Sequence, residues 1–214
     1  MKNALAYQMT EFDCGPTTVT NAIRFLFDRE EISPALLKGI WLYCNDTYNE
    51  QGELGKRGTS KASIHFLASW LTDYGKGTRF PLRAECVEGA DADIRPGSRT
   101  LQCLAEGGAA LMRCWIEEYG HYVLLTSIEN ERELGLFDPY DEPDELVVKV
   151  DGMKIIHDQP LRLNRIVPIS RLNSHEKLDY AMGDDDLRVN LLFWRTAAEK
   201  VSQTAAGATK TEKK

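Results

Sequence analysis

The sharpest chemical signal in the sequence is Gln8-x5-Cys14-Gly15-Pro16, at what reads as the start of a helix. A thiol in the first turn of a helix faces unpaired backbone N–H groups and the positive end of the helix dipole, both of which favour thiolate over thiol. Gly15 would leave the backbone open beside the sulfur. The same pattern also suits a small buried cysteine at a helix start, since free Cys is among the most buried residue types. A base within reach would separate the two readings. The sequence offers one in Gly120-His121-Tyr122-Val123-Leu124-Leu125, followed by polar residues around Glu129-Asn130 and by Leu134-Gly135-Leu136-Phe137-Asp138-Pro139. A hairpin centred between Glu129 and Asn130 makes cross-strand residue numbers add up to 259 and sets His121 opposite Asp138. Directly opposed residues have Cβ atoms about 4.5 to 5.5 Å apart, close enough for a carboxylate to accept a hydrogen bond from the imidazole. That bond would fix the ring tautomer and stabilise the imidazolium, the orienting task in a nucleophile, base and acid triad. The alternative is a polar pair at a hairpin rim, and a one-residue slip would turn His121 to the other face.

The elements that must carry these residues follow from caps and periodicity. Ala4 to Phe12 reads as extended, and a helix starts near Cys14, with Asp13 as N-cap, Pro16 in the first turn and Val19, Ala22, Ile23 and Leu26 as its buried face. Ser33-Pro34 opens a second helix with Leu36, Leu37, Ile40 and Trp41 as its stripe. Asn45 to Gly58 is a polar loop. Thr59 or Ser60 caps a third helix, with Ile64, Leu67, Ala68 and Leu71 on one face and an end near Gly75. The period then changes. Strands are expected at 80–87, 109–116, 121–128, 133–138, 146–150 and 165–169, with a short helix at 98–106. Helices first and strands afterwards make an α+β fold, a helical lobe packed on a mainly antiparallel sheet. One domain is expected over residues 1–200, followed by a disordered polar tail at 201–214.

Composition narrows the function classes. The chain has 214 residues, 43% hydrophobic, enough for one substantial core. With 26 Lys plus Arg against 33 Asp plus Glu the net charge is −7, which argues against nucleic-acid partners. Neither a span-length apolar run nor a secretory signal is visible, so a cytoplasmic protein without a membrane span is expected. The five cysteines show no CxxC spacing and the four histidines stand far apart, so neither a disulfide framework nor a metal is expected, and no cofactor is implied.

Together, the helix-capping Cys and the sheet-borne His and Asp resemble a cysteine peptidase of the papain clan. Within it, the sequence looks most like the bacteriocin-processing peptidases, family thirty-nine of the cysteine peptidases, which trim leaders after a double glycine. Those carry a Gln shortly before Asp-Cys-Gly, then His followed by an aromatic and an aliphatic run, then Asp-Pro. Here stand Gln8, Asp13-Cys14-Gly15, His121-Tyr122-Val123-Leu124 and Asp138-Pro139, in that order. The resemblance implies a papain-like fold, Cys14 as nucleophile, His121 as general base and then acid, and Asp138 as the residue that orients His121. It also implies that Gln8 donates its amide to the oxyanion together with the Cys14 N–H. Without the resemblance Gln8 reads as a solvated loop amide. Asp141 is the rival to Asp138, which its place before Pro139 biases to extended geometry.

The family domain usually precedes membrane segments and an ATP-driven motor, whereas here a stand-alone peptidase-like protein acting on a peptide or protein substrate is expected. The interval from Cys14 to His121 is longer than the family requires, with the excess placed at 45–58 and 76–97, and residues 49–55 read as a surface loop or a cleft wall. The competing functions are a transpeptidase similar to phytochelatin synthase and a non-catalytic peptide-binding module on the same fold. His65 reads as a packing or surface histidine. Cys44, Cys86, Cys103 and Cys114, with Trp41, Trp70, Trp115 and Trp194, read as core residues. Gly183-Asp184-Asp185-Asp186 reads as a solvated turn, lacking the ligand alternation of a metal loop.

Overall fold

The computed structural model describes residues 1–197, so the tail expected at 201–214 lies outside the described residues. Three helices lead the chain: α1 (Cys14–Leu26), α2 (Pro34–Cys44) and α3 (Lys61–Thr78). Ser33 accepts from Ala35 N at 3.2 Å and Ser60 from Ser63 N at 3.1 Å, so both serines cap the helices they precede. Asp13 holds the N-cap position of α1, but its carboxylate does not cap; it accepts from Asn45 Nδ2 at 3.3 Å. α3 continues past Gly75 to Thr78, where Arg79 closes it with φ at 60°. Gly75 is there because a Cβ would stand 2.3 Å from the Leu82 carbonyl oxygen, so helix and following strand touch at that point.

The strands are β1 (Leu82–Glu88), β2 (Ala109–Ile116), β3 (Tyr119–Asn130), β4 (Glu133–Phe137), β5 (Lys154–Ile155), β6 (Arg165–Pro168) and β7 (Val189–Arg195). They form one antiparallel sheet in the order β1-β7-β2-β3-β4-β6-β5. Two short helices, α4 (Arg99–Ala105) and α5 (Ile169–Leu172), complete the α+β fold. Along β2 the residues alternate: Ala109 and Leu111 pack with α1, α2 and α3, while Ala110, Met112 and Cys114 pack with Cys103, Leu104, Leu172 and Tyr180 on the other side. The sheet therefore has a core on each face, which explains why its central strands are apolar on both.

Two expectations fail for one reason, competition for strand edges. Residues 146–150 carry strand-forming residues, yet both edges of β4 are taken by β3 and β6, and the Leu146 and Val147 N–H groups turn back to the Pro143 carbonyl at 2.8 and 3.2 Å. β7, which the sequence reading lacks, instead fills the gap between β1 and β2. Other corrections are local. Of the four tryptophans only Trp194 is buried; Trp115 is on β2 past Met112, where the pairing with β7 ends, with the Arg113 and Lys177 cations each 4.5 Å from its ring. Cys86 is half-buried, because β1 is an edge strand; Cys44, Cys103 and Cys114 are in the core.

Candidate active site

α1 is held against the sheet by polar contacts inside its packed face. Thr18 Oγ1 donates to the Tyr122 carbonyl at 3.0 Å, and Asn21 exchanges two 2.8 Å hydrogen bonds with the backbone of Ala6. The second contact draws the N-terminal segment along the helix, and Gln8 N then donates to the Pro139 carbonyl at 2.8 Å. One short stretch thus links the Cys14 helix to the chain leaving β4. On the other side of Cys14, the loop ahead of α3 closes over the helix start. A Cβ on Gly15 would stand 2.1 Å from Thr59 Oγ1, so the space beside Cys14 that Gly15 leaves open is filled by Thr59. Tyr122 donates its hydroxyl to the Thr59 carbonyl at 3.2 Å, tying that loop to β3.

His121, the third residue of β3, sits opposite Cys114 of β2 and bonds through Nε2 to Asp138 Oδ1 at 2.8 Å. The contact arises from a different register than the one expected. The β3–β4 turn is Glu131-Arg132, and two irregularities in β3 bring the cross-strand sum to 261 at Leu124 and Phe137. A shift of two preserves the face, because side chains alternate with period two, so His121 and Asp138 meet as diagonal neighbours. Asp141, the rival acid, is exposed, whereas Asp138 is 4% exposed and His121 8%.

The electrostatics of the pair are strongly coupled. Burial works against the charged ring, but the Asp138 charge and hydrogen bond, followed by hydrogen bonding with Cys14 and its charge, raise the His121 pKa from 6.5 to about 10. Burial likewise opposes the Asp138 carboxylate, and the His121 charge and hydrogen bond, with those from Tyr140 N and Tyr180, hold its pKa below the usual value. Both shifts favour the charged forms, imidazolium and carboxylate, and Cys14, 6% exposed, is buried as well and contributes to the upward shift of the ring. Nε2 is committed to Asp138, which leaves Nδ1 as the ring atom free to serve the thiol. A buried thiol, an imidazole with one nitrogen bound to an acid and the other left over, and a fixed carboxylate are the groups that nucleophilic acyl transfer needs.

Gln8 is beside this unit through its backbone, but its amide is turned to its own loop: Nε2 donates to the Thr10 carbonyl at 2.9 Å, and the buried Oε1 has no partner. Three supports of Asp138 were not legible in the sequence: the Tyr140 N–H, the Tyr180 hydroxyl and Asn164, which brackets the Asp138 backbone from the residue just before β6. All come from segments distant in sequence or from a turn, and no motif marks them.

Elsewhere, Asp93, His175 and Asp185 each bring a ligand atom within 4.8 Å of the others. The fully buried Arg188 guanidinium pairs with both carboxylates and donates to the Gly183 and Asn173 carbonyls at 2.7 and 2.8 Å, so these acids already serve a built-in cation. His65 is exposed and bonds Glu88 at 2.9 Å. No helix among the described residues is long and apolar enough to cross a membrane. Neither a protein-family model nor a curated protein matches the sequence, so the site is interpreted from its own geometry.

Proposed function

We propose that this chain is a cysteine-dependent hydrolase of a peptide or isopeptide bond, with Cys14 as nucleophile in a papain-like arrangement. The observation that carries the reading is the buried set of Cys14 at the first position of α1, His121 on β3 and Asp138 bonded to His121 Nε2. The resemblance to the bacteriocin-processing peptidases assigns the same residues the same tasks.

In this reading the Cys14 thiolate attacks the substrate carbonyl carbon while the His121 imidazolium holds a proton. That proton passes to the leaving amine as the C–N bond breaks, and a thioester remains on Cys14. Water then attacks the thioester with neutral His121 taking its proton, which restores acid and thiolate. The Cys14 N–H, at a helix N-terminus, is placed to stabilise the oxyanion, and Gln8 joins it with the amide hydrogen not used by Thr10. A cleavage profile on a peptide library, with Cys14→Ala as control, tests the proposal. Cleavage that is lost in the variant, with a thioester on the Cys14 peptide after rapid quench, is expected; equal cleavage by both proteins would refute it.

A further inference from the structure

The Asp138 carboxylate has more donors than a histidine partner requires. Oδ1 accepts from His121 Nε2 at 2.8 Å and from Tyr140 N at 3.0 Å, and Oδ2 accepts from the Tyr180 hydroxyl at 2.7 Å. The Asp138 backbone is fixed separately, since its N–H donates to Asn164 Oδ1 at 2.7 Å and its carbonyl accepts from Asn164 Nδ2 at 2.8 Å. The residue's position is therefore set without Tyr180. What Tyr180 controls is the rotation of the carboxylate and the fate of its second oxygen.

Tyr180 reaches that oxygen in an unusual conformation. Its φ is 62°, in the left-handed region that bulky residues rarely adopt, and it is 2% exposed. Such a conformation persists only where the surroundings over-determine it. Here the stretch 178–183 is laced to β2: Tyr180 N donates to the Trp115 carbonyl at 2.7 Å, and Trp115 N to the Ala181 carbonyl at 2.9 Å. Met182 N is held by the Leu172 carbonyl at 2.9 Å, and the Gly183 carbonyl by the buried Arg188. The side chain that this strap delivers makes one polar contact, with Asp138 Oδ2. Burial and the neighbouring Asp138 charge push the Tyr180 phenol well above its ordinary value, so it serves as a donor and not as an acid.

We propose that Tyr180 is a positioning residue: its hydroxyl locks the Asp138 carboxylate in the plane that serves His121 and stabilises its charge, and the strained strap is built to place that hydroxyl. The proposal rests on the hydrolase reading for its purpose but not for its test. The charged and titratable groups around Asp138 are His121 on β3, Cys114 on β2, Arg165 on β6, Glu142 beyond Pro139, and Cys14 through the imidazole. Tyr180→Phe leaves all of them in place and removes a single donor.

The experiment is the pH profile of Cys14 alkylation by iodoacetamide, located by peptide mass spectrometry, in the full chain and in Tyr180→Phe. Loss of a charge-assisted hydrogen bond is expected to move the acid limb up by about one pH unit. In a peptide hydrolysis assay kcat is expected to fall about tenfold with KM little changed. In the Tyr180→Phe, Asp138→Asn double variant the limb is expected to match that of Asp138→Asn alone. A lowered Tm with the limb unmoved would show that the hydroxyl is structural only and would overturn the proposal. Should Tyr180→Phe fail to fold, 3-fluorotyrosine at position 180, a stronger donor of nearly the same shape, is expected to move the limb down; an unmoved limb again overturns the proposal. Because alkylation needs no substrate, a shifted limb in a protein that cleaves no peptide supports Tyr180 and refutes the hydrolase reading. Cleavage with an unmoved limb does the opposite.

Discussion

Among the described residues, two groupings of cysteine, histidine and carboxylate differ in ways that matter for chemistry. Cys14, His121 and Asp138 are all buried. Cys86, His65 and Glu88 lie at the edge strand β1, where the His65 and Glu88 side chains are 44% and 50% exposed. In the buried set the ring gives Nε2 to the acid, which leaves Nδ1 as the other ring atom. In the exposed set Nε2 faces both partners, Glu88 Oε2 at 2.9 Å and Cys86 Sγ at 4.0 Å, so no proton can pass across the ring from thiol to acid. Glu88 is also shared with Lys61 at 3.0 Å. Cys86 has no helix N-terminus behind it, and burial pushes its thiol up to about 11. Residue types in contact do not make a relay; separate ring nitrogens, exclusion of water and a helix start beneath the sulfur do.

The largest test of this contrast is removal of each thiol. Cys14→Ala is expected to abolish hydrolysis, a loss of at least about a thousandfold, whereas Cys86→Ala is expected to leave the rate unchanged. Alkylation mapped by mass spectrometry is expected to label Cys14 first. Burial raises the thiols of Cys44, Cys103 and Cys114 as well as Cys86, Cys103 to about 12, which makes them slow. Equal labelling of all five would erase the distinction between the two groupings.

The acids come next. Asp138→Asn, with an amide that favours the wrong ring tautomer, is expected to lower kcat by roughly 10²- to 10⁴-fold while the protein remains folded by circular dichroism. Glu88→Gln is expected to change it less than about twofold, as befits an exposed pair. Gln8→Ala is expected to lower kcat about a hundredfold with little change in KM, and to leave iodoacetamide alkylation of Cys14 untouched, since that displacement forms no tetrahedral oxyanion. If alkylation slows in parallel, Gln8 supports the geometry around Cys14 and is not an oxyanion donor.

The smallest expected effect is on stability. His121 has a folded pKa raised to about 10 from 6.5, so its contribution is full below about 6.5 and is lost as pH rises through about 10. Asp138 has a lowered folded pKa, so its contribution is full above the ordinary value of 3.8 and is lost as pH falls through the folded value. Urea unfolding is therefore expected to show the parent most stable relative to His121→Gln between about pH 4 and 6.5, with the gap closing on both sides. His65→Gln is expected to shift stability by less than about 0.5 kcal/mol. A gap at His121 that stays constant with pH would mean that the buried pair is not ionised.

Local rules carried much of the molecule. Ser33 and Ser60 stand one residue before helices they cap, β2 follows Gly107-Gly108 with the bounds its apolar run implies, and β3 and β4 form the hairpin that joins His121 to Asp138. Even the misplaced turn did no harm to that pair, because an even register error leaves the face unchanged. The residues of the candidate site were legible for the same reason: helix-start chemistry and hairpin parity are short-range properties. Gly15 was legible as a special position but not in its purpose, which depends on Thr59 arriving from the far end of a loop.

What the sequence by itself determined was the set of elements whose caps, periods and turns lie within a few residues of one another, and the order in which Cys14, His121 and Asp138 occur on them. Only the tertiary structure decided which segments obtained a strand edge. Val189–Arg195, with four successive apolar residues at 191–194, took the place between β1 and β2, while 146–150 found β4 already occupied on both sides. It alone also decided what surrounds the acid, since Tyr180 and Asn164 approach Asp138 across 42 and 26 residues of chain. Edge pairing and buried hydrogen bonds are settled by competition among distant segments for a limited number of partners, and no local period records the outcome.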